Sequence, residues 1–516
     1  MEVNKARLFI YVTLVLLSMK FQSAITSENE TDRLSLLAFR NEVTEDPFGA
    51  LSAWNDSLHY CNWTGITCSS SQHPSRVTIM DLSAKSLVGS ISPHIGNITF
   101  LETLDLHQNS FNGKIPQEIG HLSGLRFLDL SANSLEGEVP NNLTSFTKLE
   151  AFSLSMNQLV GRIPTELGSV SELAVLQLSG NYLVGTIPLS LSNLSFLTAL
   201  AIGFNNLNGN IPSTLGHLSK LEYFQISYNN LSGSIPSQLF NISSIYYFAV
   251  ADNQLHGTIR PDIGITLPNL QTFSIASNRF YAELPSSLSN LSRLSAMDVS
   301  DNQFTGDVPP NLGRLQGLTL LNLAKNQLGT GDAENLSFFD SLSNCSHLET
   351  LALSNNNLTG QLPEYIGNLS TKLAVFNMGA NQIFGEIPSG IGNLVNLNRL
   401  SFEDNGFTGS IPVSIGELPN LVRLAMSGNQ LSGLIPSNIC NNTQLEMIHF
   451  GKNRLQGEIP PSLGNCRSLQ DLSLSQNQLR GTIPKQVMSL SSLSVLDLSA
   501  NLMSGYFPYE ESILDS

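Results

Sequence analysis

A segment of about two dozen residues recurs along most of the chain, and no other sequence feature constrains the fold as strongly. Each unit has an asparagine at the same position, and most successive asparagines are 24 residues apart, with two intervals of 25 and one of 30. These asparagines are Asn109, Asn133, Asn157, Asn181, Asn205, Asn229, Asn253, Asn278, Asn302, Asn326, Asn356, Asn381, Asn405, Asn429, Asn453, Asn477 and Asn501. An earlier unit, from Val77 to Pro93, has Lys85 at the asparagine position, so the chain contains about 18 repeats.

Each position of the repeat has a physical role, as the unit LRFLDLSANSLEGEVPNNLTSFTK shows. Leu125, Leu128 and Leu130 alternate in a short strand and point into the core. Asn133 follows where the chain turns, and its side-chain amide can bond backbone groups left unpaired in a buried turn. Gly137 permits the next bend without steric strain. One repeat cannot bury its apolar face alone, so neighbouring repeats must stack.

The predicted fold is therefore an α/β solenoid, a right-handed superhelix of about 18 repeats with a parallel sheet on its concave side. The composition agrees, because 41% of the residues are hydrophobic and only 13% are charged, the reverse of a disordered chain. An extended concave surface is the usual binding face of stacked repeats. We expect the third, fifth, seventh and eighth positions of each unit to face solvent there.

Charge and motifs exclude two large classes of function. The formal net charge is −16, whereas a nucleic-acid binder needs a basic surface to neutralise phosphates. We interpret the acidity as favouring solubility, with a preference for basic partners as the alternative. The nine histidines are scattered, and no His-Glu-x-x-His, Gly-x-Ser-x-Gly or Cys-x-x-Cys pattern occurs. We therefore predict no catalytic site, no metal and no cofactor.

The N-terminus has the features of a secretory signal peptide over residues 1–24. Lys5 and Arg7 precede an apolar run from Leu8 to Met19, which is shorter than the roughly 20 residues of a membrane span. We expect cleavage near Ala24, with an uncleaved anchor as the alternative. Export would place the five cysteines in an oxidising compartment.

An exported chain with 14 Asn-x-Ser/Thr sequons is expected to be heavily glycosylated. We predict carbohydrate at Asn29, Asn55, Asn62, Asn97, Asn142, Asn193, Asn241, Asn290, Asn335, Asn344, Asn368 and Asn441. The remaining two sequons, at Asn230 and Asn357, stand beside repeat asparagines and are doubtful acceptors.

The G-x-I-P ending of the repeat, present at Gly113 to Pro116, Gly161 to Pro164 and Gly481 to Pro484, resembles the plant-specific leucine-rich repeat. Residues 25–75 resemble the N-terminal cap of plant leucine-rich-repeat receptor kinases. An amphipathic stretch, DRLSLLAFRNEV, is followed there by CNWTGITC. A cap is needed because the first repeat would otherwise expose its leucines.

This resemblance implies a helix in the cap and a disulfide that closes it. The helix would place Leu34, Leu37, Ala38 and Phe39 on one apolar face. The disulfide would join Cys61 to Cys68, a pairing that the seven-residue spacing in an exported protein supports.

The repeats would then occupy residues 76–508, followed by a tail at 509–516. Full receptors of this family continue into a C-terminal cap, a membrane helix and a serine/threonine kinase, and the kinase motifs do not occur in this chain. We favour a truncated receptor over a naturally soluble product, because the last repeat has no recognisable cap. Membrane attachment would come only through the missing C-terminal region.

The regular repeat and the longer unit from Leu328 to His347 are similar to an immune-type group. That group includes the flagellin and elongation-factor receptors and the rice bacterial-blight resistance kinases. The resemblance implies an extracellular region that recognises a microbial peptide or protein together with a leucine-rich-repeat co-receptor kinase. The alternative is a soluble inhibitor of cell-wall-degrading enzymes, or a decoy receptor.

Two sets of residues on the predicted concave face are candidates for ligand binding. The aromatic set, which could instead pack on itself or beneath glycans, consists of Phe204, Tyr223, Tyr228 and Tyr247. The charged set, which could clamp a peptide terminus or contact a co-receptor, consists of Arg399, Glu403, Asp404, Arg423, His449 and Lys452. An ordinary solvated surface is the simpler interpretation of the charged set.

Three further cysteines lie between one repeat's proline and the next strand. Cys345 and Cys466 occupy a position filled by leucine in other repeats, such as Leu194. We expect Cys345, Cys440 and Cys466 to be buried free thiols that pack as small hydrophobic groups. A Cys440–Cys466 bridge is the alternative, although the two residues differ in repeat position.

Overall fold

The alternating leucines form strands, as the repeat predicts. Leu128 is buried at the centre of the strand Phe127–Asp129, and its two neighbours are half-buried. The computed structural model describes residues 30–70, 75–331 and 336–505. The predicted signal peptide (1–24), the sequons Asn29 and Asn335, the end of the last repeat and the tail (506–516) lie outside the described residues.

The chain divides into two units between Ser244 and Ile245. The paired strands that carry the alternating leucines of one unit are called the main sheet of that unit below. The main sheet of the first unit consists of Ile66–Cys68, Val77–Asp81, Thr103–Asp105, Phe127–Asp129, Ala151–Ser153, Val175–Gln177, Ala199–Ala201 and Tyr223–Gln225. The first strand is antiparallel and belongs to the cap, and the others are parallel.

The main sheet of the second unit is parallel throughout. Its strands are Tyr247–Ala249, Thr272–Ser274, Ala296–Asp298, Leu320–Asn322, Thr350–Ala352, Val375–Asn377, Arg399–Ser401, Arg423–Ala425, Met447–His449, Asp471–Ser473 and Val495–Asp497. Equivalent positions of successive repeats pair with one another, so the same position of each repeat forms a straight row across the sheet.

A second set of strands follows the repeat asparagines. In the first unit they are Val88–Ser90, Ser110–Lys114, Ser134–Glu138, Gln158–Val160, Val184–Gly185, Asn206–Asn210 and Asn230–Gly233. The cap adds the strand Val43–Glu45, which pairs antiparallel with Val88–Ser90. In the second unit they are Gln254–Gly257, Arg279–Glu283, Gln303–Thr305, Thr359–Gln361, Gln382–Glu386, Gly406–Thr408, Ser432–Gly433, Arg454–Glu458, Gln478–Gly481 and Leu502–Met503. Here pairing is interrupted between Gln303–Thr305 and Thr359–Gln361, where the 30-residue repeat lies.

Short helices, most of them 3-10 helices, return each repeat to the next strand. The first unit has an α-helix at 30–42 and 3-10 helices at Tyr60–Asn62, Pro93–Asn97, Gln117–His121, Leu143–Ser145, Thr165–Ser169, Leu189–Asn193, Ser213–His217 and Leu239–Asn241. The second unit has α-helices at Ile263–Thr266, Phe338–Leu342 and Lys485–Met488 and 3-10 helices at Ser286–Asn290, Leu312–Arg314, Glu364–Asn368, Ser389–Asn393, Val413–Glu417, Ile439–Asn441 and Pro461–Asn465. Across the described ranges, none of these helices combines the length and apolarity that a bilayer span requires.

The repeat asparagines form hydrogen-bonded ladders, which confirms the role predicted for them. Asn157 Oδ1 accepts from the backbone N–H of Leu135 at 2.9 Å, and its Nδ2 donates to the carbonyls of Leu130, Leu154 and Ser155 at 3.0, 3.1 and 3.3 Å. The amide therefore joins two neighbouring repeats and satisfies buried backbone groups of both.

The residue before each ladder asparagine has a left-handed backbone in most repeats, which the sequence did not reveal. Met156 and Tyr228, for example, have φ values of 56° and 58°. This conformation costs a residue other than glycine roughly 1 kcal/mol or more. The ladder bonds of the next residue hold it in place.

The cap contains the predicted helix and the predicted Cys61–Cys68 disulfide. The proposed apolar face was wrong in part, because Leu34 is 54% exposed while Leu36 and Phe39 are buried. The buried face also includes Asp32, whose carboxylate accepts two hydrogen bonds from the guanidinium of Arg76 at 2.9 and 3.0 Å. This buried ion pair fixes the face of the helix that turns inward.

The prediction of three free thiols was wrong for two of them. Cys440 and Cys466 form a disulfide with a Cα–Cα distance of 5.0 Å, and Cys345 is buried and unpaired. Cys440 lies in the 3-10 helix Ile439–Asn441, whereas Cys466 directly follows the helix Pro461–Asn465. Because the two cysteines occupy different positions relative to their helices, their side chains approach each other across the boundary between neighbouring repeats.

Candidate ligand-binding face

The solvent-facing side of each main sheet, called the strand face below, carries the side chains that alternate with buried leucines. In the strand Arg399–Ser401, for example, Leu400 is buried and Arg399 is exposed. Residues at the third and eighth repeat positions are half-buried or exposed in every described repeat. The expectation for the fifth and seventh positions was wrong in part, because small or paired side chains there, such as Ser153, Gln225 and Ser227, are buried.

In the first unit, the strand face brings two of the predicted aromatic residues together. The rings of Phe204 and Tyr228 are stacked with centroids 4.2 Å apart and planes 15° from parallel, and the two residues are 52% and 48% exposed. Tyr223 is half-buried in its strand beside Ala199. Tyr247 belongs to the second unit, where it is half-buried and paired with Thr272.

Sequence reasoning missed a third apolar side chain in the row that contains Phe204 and Tyr228. Met156 occupies the same repeat position and is 67% exposed. Its Cγ lies 3.5 Å from the place where Gly180, the next residue of the row, would carry a Cβ. Met156 thus leans over Gly180 towards the aromatic pair, and the row presents an exposed apolar strip. Only the shared repeat position could have identified it.

In the second unit, Arg399 and Arg423 are exposed and directly paired on neighbouring strands, which are about 4.8 Å apart in a sheet. Like charges in register repel each other. Within the part of the chain that the structure describes, neither guanidinium takes part in an ion pair. Of the other predicted members nearby, Asp404 is exposed, and Glu403 accepts a hydrogen bond from Ser401 at 3.3 Å.

His449 and Lys452 differ in how available they are to a ligand. His449 Nε2 lies 2.8 Å from a carboxylate oxygen of Asp471 on the next strand. Asp471 was not among the predicted residues, although it occupies the same row as Arg399 and Arg423. Lys452 is exposed. The charged set is therefore a guanidinium pair followed, on the next two strands, by an imidazole–carboxylate pair.

An acidic row near the cap was also missed. Asp81, Asp105 and Asp129 pair in register on three successive strands, and His107 Nδ1 lies 2.8 Å from Asp105 Oδ1. The hydrogen bond to Asp105 raises the pKa of His107. Candidate metal-ligand atoms of Asp105, His107 and Asp129 lie within 4.8 Å of one another. The hydrogen bonds to His107 and from Ser131 to Asp129 explain this arrangement without an ion.

Six of the predicted glycosylation sites share one structural position, the last residue of a 3-10 helix. These exposed residues are Asn97, Asn193, Asn241, Asn290, Asn368 and Asn441. The two doubtful acceptors, Asn230 and Asn357, are exposed beside the second set of strands. Carbohydrate at the shared position would leave the strand face uncovered.

We expect Asn142 to carry less carbohydrate than Asn193. The Asn142 Nδ2 donates to the carbonyl of Gln117 and occupies the space that a Cβ of Gly120 would need. Because a glycan is attached through this nitrogen, it would force the side chain off Gly120. Glycopeptide mass spectrometry of protein secreted by plant cells measures the occupancy of each site. Equal occupancy at Asn142 and Asn193 would contradict this prediction.

The repeats and the cap match two known sequence families. The leucine-rich-repeat N-terminal domain matches residues 29–69. The leucine-rich repeat matches 100–122, 124–146, 172–194, 220–242, 347–369, 396–418, 420–442, 444–466 and 468–490. The chain therefore belongs to the leucine-rich-repeat family.

Within that family, the chain is similar to plant receptor kinases. It is 41% identical over 105 residues to the LRR receptor-like serine/threonine-protein kinase EFR of Arabidopsis thaliana, a match that covers 20% of this chain and 10% of EFR. It is 41% identical over 88 residues to the receptor kinase-like protein Xa21 of Oryza sativa subsp. japonica, covering 17% of this chain and 8% of Xa21. The matched segments thus span a tenth or less of either relative.

The fold is that of a plant receptor ectodomain. The leucine-rich-repeat ectodomain of the Arabidopsis receptor kinase HAESA, solved with an N-terminally extended IDA peptide hormone ligand, superposes with a TM-score of 0.74 at 30% identity. The superposition covers 93% of this chain and 87% of the HAESA chain. HAESA has also been solved with the peptide hormone IDA and the co-receptor SERK1, and that structure superposes with a TM-score of 0.57 at 30% identity, covering 92% of this chain and 94% of the HAESA chain.

Proposed function

We propose that this chain is the extracellular recognition region of a plant receptor, and that it binds a peptide or protein ligand on the strand face. The observation that carries the proposal is the guanidinium pair of Arg399 and Arg423, which is exposed, in register and outside any ion pair of the described residues. Two adjacent guanidinium groups present paired donors that suit a carboxylate. A peptide C-terminus or an acidic side chain supplies such a group.

A peptide ligand is also supported by the solved HAESA complexes, in which an ectodomain of the same fold holds a peptide hormone. We infer that the ligand is microbial and that the response is defence, because the repeats and the unit from Leu328 to His347 resemble the immune-type receptors. By the same analogy with HAESA, a leucine-rich-repeat co-receptor would join the bound complex. We also infer export through the secretory pathway, from the predicted signal peptide and the sequons.

The second candidate function is a soluble inhibitor of cell-wall-degrading enzymes or a decoy receptor. The acidic row of Asp81, Asp105 and Asp129 favours it to the extent that such a row suits a basic protein surface. A receptor requires a ligand-dependent co-receptor complex, whereas an inhibitor would lower the activity of a purified wall-degrading enzyme without one. Pull-down with co-receptor ectodomains and a pectin-hydrolysis assay therefore distinguish the two functions.

The direct test is selection of ligands from a library of random peptides with free C-termini, with the secreted protein immobilised as bait. Replacing both Arg399 and Arg423 by alanine is expected to weaken the binding of selected peptides by about a hundredfold or more, because two charged hydrogen bonds of about 1.5–3 kcal/mol each are lost. Surface plasmon resonance measures the dissociation constants.

The matched control replaces Arg279 and Arg454, which are also exposed but belong to the second set of strands. This change removes the same charge and should alter the affinity by less than about twofold. Equal losses in the two double variants would show that only net charge matters. Unchanged affinity in the first variant would remove the guanidinium pair from the proposed site.

A further inference from the structure

A groove of about 810 Å³ lies in the second unit, beside the ends of the strands Arg279–Glu283 and Gln303–Thr305. Its walls include four prolines, Pro261, Pro285, Pro309 and Pro310. These residues belong to the second set of strands and the turns after it, so the groove is separate from the strand face. Its volume is within the roughly 300–1,000 Å³ typical of ligand sites.

Departures from the repeat coincide with this groove. Pro261 comes one residue later than the proline of G-x-I-P, and the sequence has two prolines in succession at Pro309 and Pro310. Ala282 stands at the glycine position with a φ of 72°, a conformation unfavourable for alanine. The next repeat has Thr330 after its glycine but no proline beyond it. The groove is thus a local feature and not a property of every repeat.

Two carboxylates line the groove side by side. Glu283 extends across Gly306, because a Cβ at this glycine would lie 2.7 Å from Glu283 Cγ and 3.3 Å from its Oε1. That path brings the Glu283 carboxylate towards Asp307, the residue after Gly306. Asp307 accepts a hydrogen bond from Thr330 at 3.2 Å. Within the described ranges, neither carboxylate takes part in an ion pair, and both residues are exposed.

Glu283 and Asp307 belong to a row formed by the residue after each repeat glycine. In the first unit, this row contains both basic and acidic residues, namely Lys114, Glu138 and Arg162 in successive repeats. Lys114 extends across Gly137 and Glu138 across Gly161, so charges of opposite sign alternate along the row. In the second unit, the four repeats at the groove have Thr258, Glu283, Asp307 and Thr330 at this position, without a basic residue. The two negative charges beside the groove are therefore not compensated by their neighbours in the row.

A smaller groove of about 410 Å³ occurs in the first unit and provides a second comparison. Asn210, Ser234 and Gln238 are among its lining residues, and it contains no charged side chain. The larger groove therefore differs from its counterpart in both size and charge. Proline rings offer flat apolar surface, and paired carboxylates offer acceptors for guanidinium groups.

We propose that this groove is a second interaction site, which binds an extended, arginine-containing segment of a partner protein. The aliphatic stems of the arginines would lie along the proline rings, and their guanidinium groups would bond Glu283 and Asp307. The site is independent of the ligand proposed for the strand face. It would allow the receptor region to hold a basic partner and a carboxylate-bearing ligand on different surfaces.

The test uses fluorescence anisotropy with a short fluorescein-labelled peptide of alternating arginine and proline, and the whole secreted protein. The Glu283→Gln/Asp307→Asn variant should bind this probe about tenfold or more weakly than the unmodified protein, and binding should weaken as salt is raised. Thr305→Arg places a tethered guanidinium in the groove and should block the probe as well. A probe with glutamine in place of arginine should not bind.

The control is Glu386→Gln/Glu458→Gln, which removes two carboxylates from the equivalent repeat position, where they extend across Gly409 and Gly481. It should change the affinity by less than about twofold. Equal weakening in both double variants would overturn the proposal in favour of attraction to net charge alone. Failure of the unmodified protein to bind the probe, or normal probe binding by Thr305→Arg, would also overturn it. Thermal unfolding of every variant checks that the fold is intact.

Discussion

Asn157→Ala should lower the free energy of unfolding by about 3 kcal/mol or more. The residue is only 7% exposed, and its amide makes four hydrogen bonds. Alanine would leave the N–H of Leu135 without its acceptor, which costs about 1–3 kcal/mol. The carbonyls of Leu130 and Leu154 would each lose one donor and keep another, from Asn133 and Asn181, and each lost hydrogen bond contributes about 0.5–1.5 kcal/mol more.

The effect should extend to the neighbouring repeats, because Asn157 bonds backbone groups both of its own repeat and of the preceding one. Stacked repeats derive much of their stability from contacts with their neighbours, so a weakened contact lowers the cooperativity of unfolding. Hydrogen exchange measured by mass spectrometry should therefore show faster exchange in the strands Phe127–Asp129 and Ala151–Ser153. Urea unfolding followed by circular dichroism gives the loss of stability.

The adjacent residue provides the control for this prediction. Gln158 is exposed and its replacement by alanine should change the stability by about 0.5 kcal/mol or less. Asn157→Asp keeps an acceptor for Leu135 but turns a carboxylate oxygen towards the carbonyls of Leu130 and Leu154, so it should be no more stable than Asn157→Ala. If Asn157→Ala unfolds at the same urea concentration as the unmodified protein, the ladder does not stabilise the fold as argued.

Much of this fold could be predicted, because it depends on residues that recur. The leucines and asparagines occupy the same positions in repeat after repeat, and each occurrence reinforces the same interpretation. The left-handed residue before the asparagine escaped notice because its identity varies freely, from Gln108 to Met156 to Ala500. Its backbone conformation comes from the turn and its ladder bonds, and no preferred residue type marks it.

Features that depend on a single pair of residues were harder to predict. The helix of the cap was placed correctly, but Leu34 was assigned to the buried face because apolar residues were expected there. The buried face instead includes Asp32, since Arg76, 44 residues later, neutralises it. Cys440 and Cys466 likewise form a disulfide between neighbouring repeats, although they occupy different positions in the repeat alignment.

The candidate site shows the same limit. Repeat position correctly indicated that Arg399 and Arg423 would be exposed on adjacent strands. It could not show that His449 lies against Asp471, because that contact depends on which side-chain conformations are adopted across the sheet. The groove beside Glu283 arises from irregularities in three successive repeats. Because these departures do not recur along the chain, the repeat pattern does not predict them.

Asp32→Ala should destabilise the N-terminal cap by about 3–5 kcal/mol, the usual cost of breaking a buried ion pair by removing one of its members. The side chains of Asp32 and Arg76 are 0% and 5% exposed. Asp32 also accepts a hydrogen bond from the backbone N–H of Val77 at 3.0 Å, in the first strand of the repeats. The carboxylate therefore connects the cap helix to the repeat stack, and its removal leaves a buried guanidinium and an unpaired N–H.

The protein carries a convenient reporter for this change. Its two tryptophans, Trp54 and Trp63, are both buried in the cap and stacked with centroids 5.3 Å apart. Tryptophan fluorescence during urea unfolding thus follows the cap, while circular dichroism follows all repeats. In Asp32→Ala, the fluorescence transition should move to lower urea and separate from the circular dichroism transition, because the cap would open before the repeats unfold.

The control is Asp56→Ala, which removes a carboxylate that lies 2.6 Å from Arg33 but is 88% exposed. An exposed ion pair contributes little, so this variant should unfold within about 0.5 kcal/mol of the unmodified protein. Replacing both Asp32 and Arg76 by leucine and methionine removes the buried guanidinium together with the carboxylate and should restore part of the lost stability. If Asp32→Ala leaves the fluorescence transition where it is, the buried ion pair does not hold the cap on the repeats. A double variant less stable than Asp32→Ala would show that the remaining guanidinium is not the source of the loss.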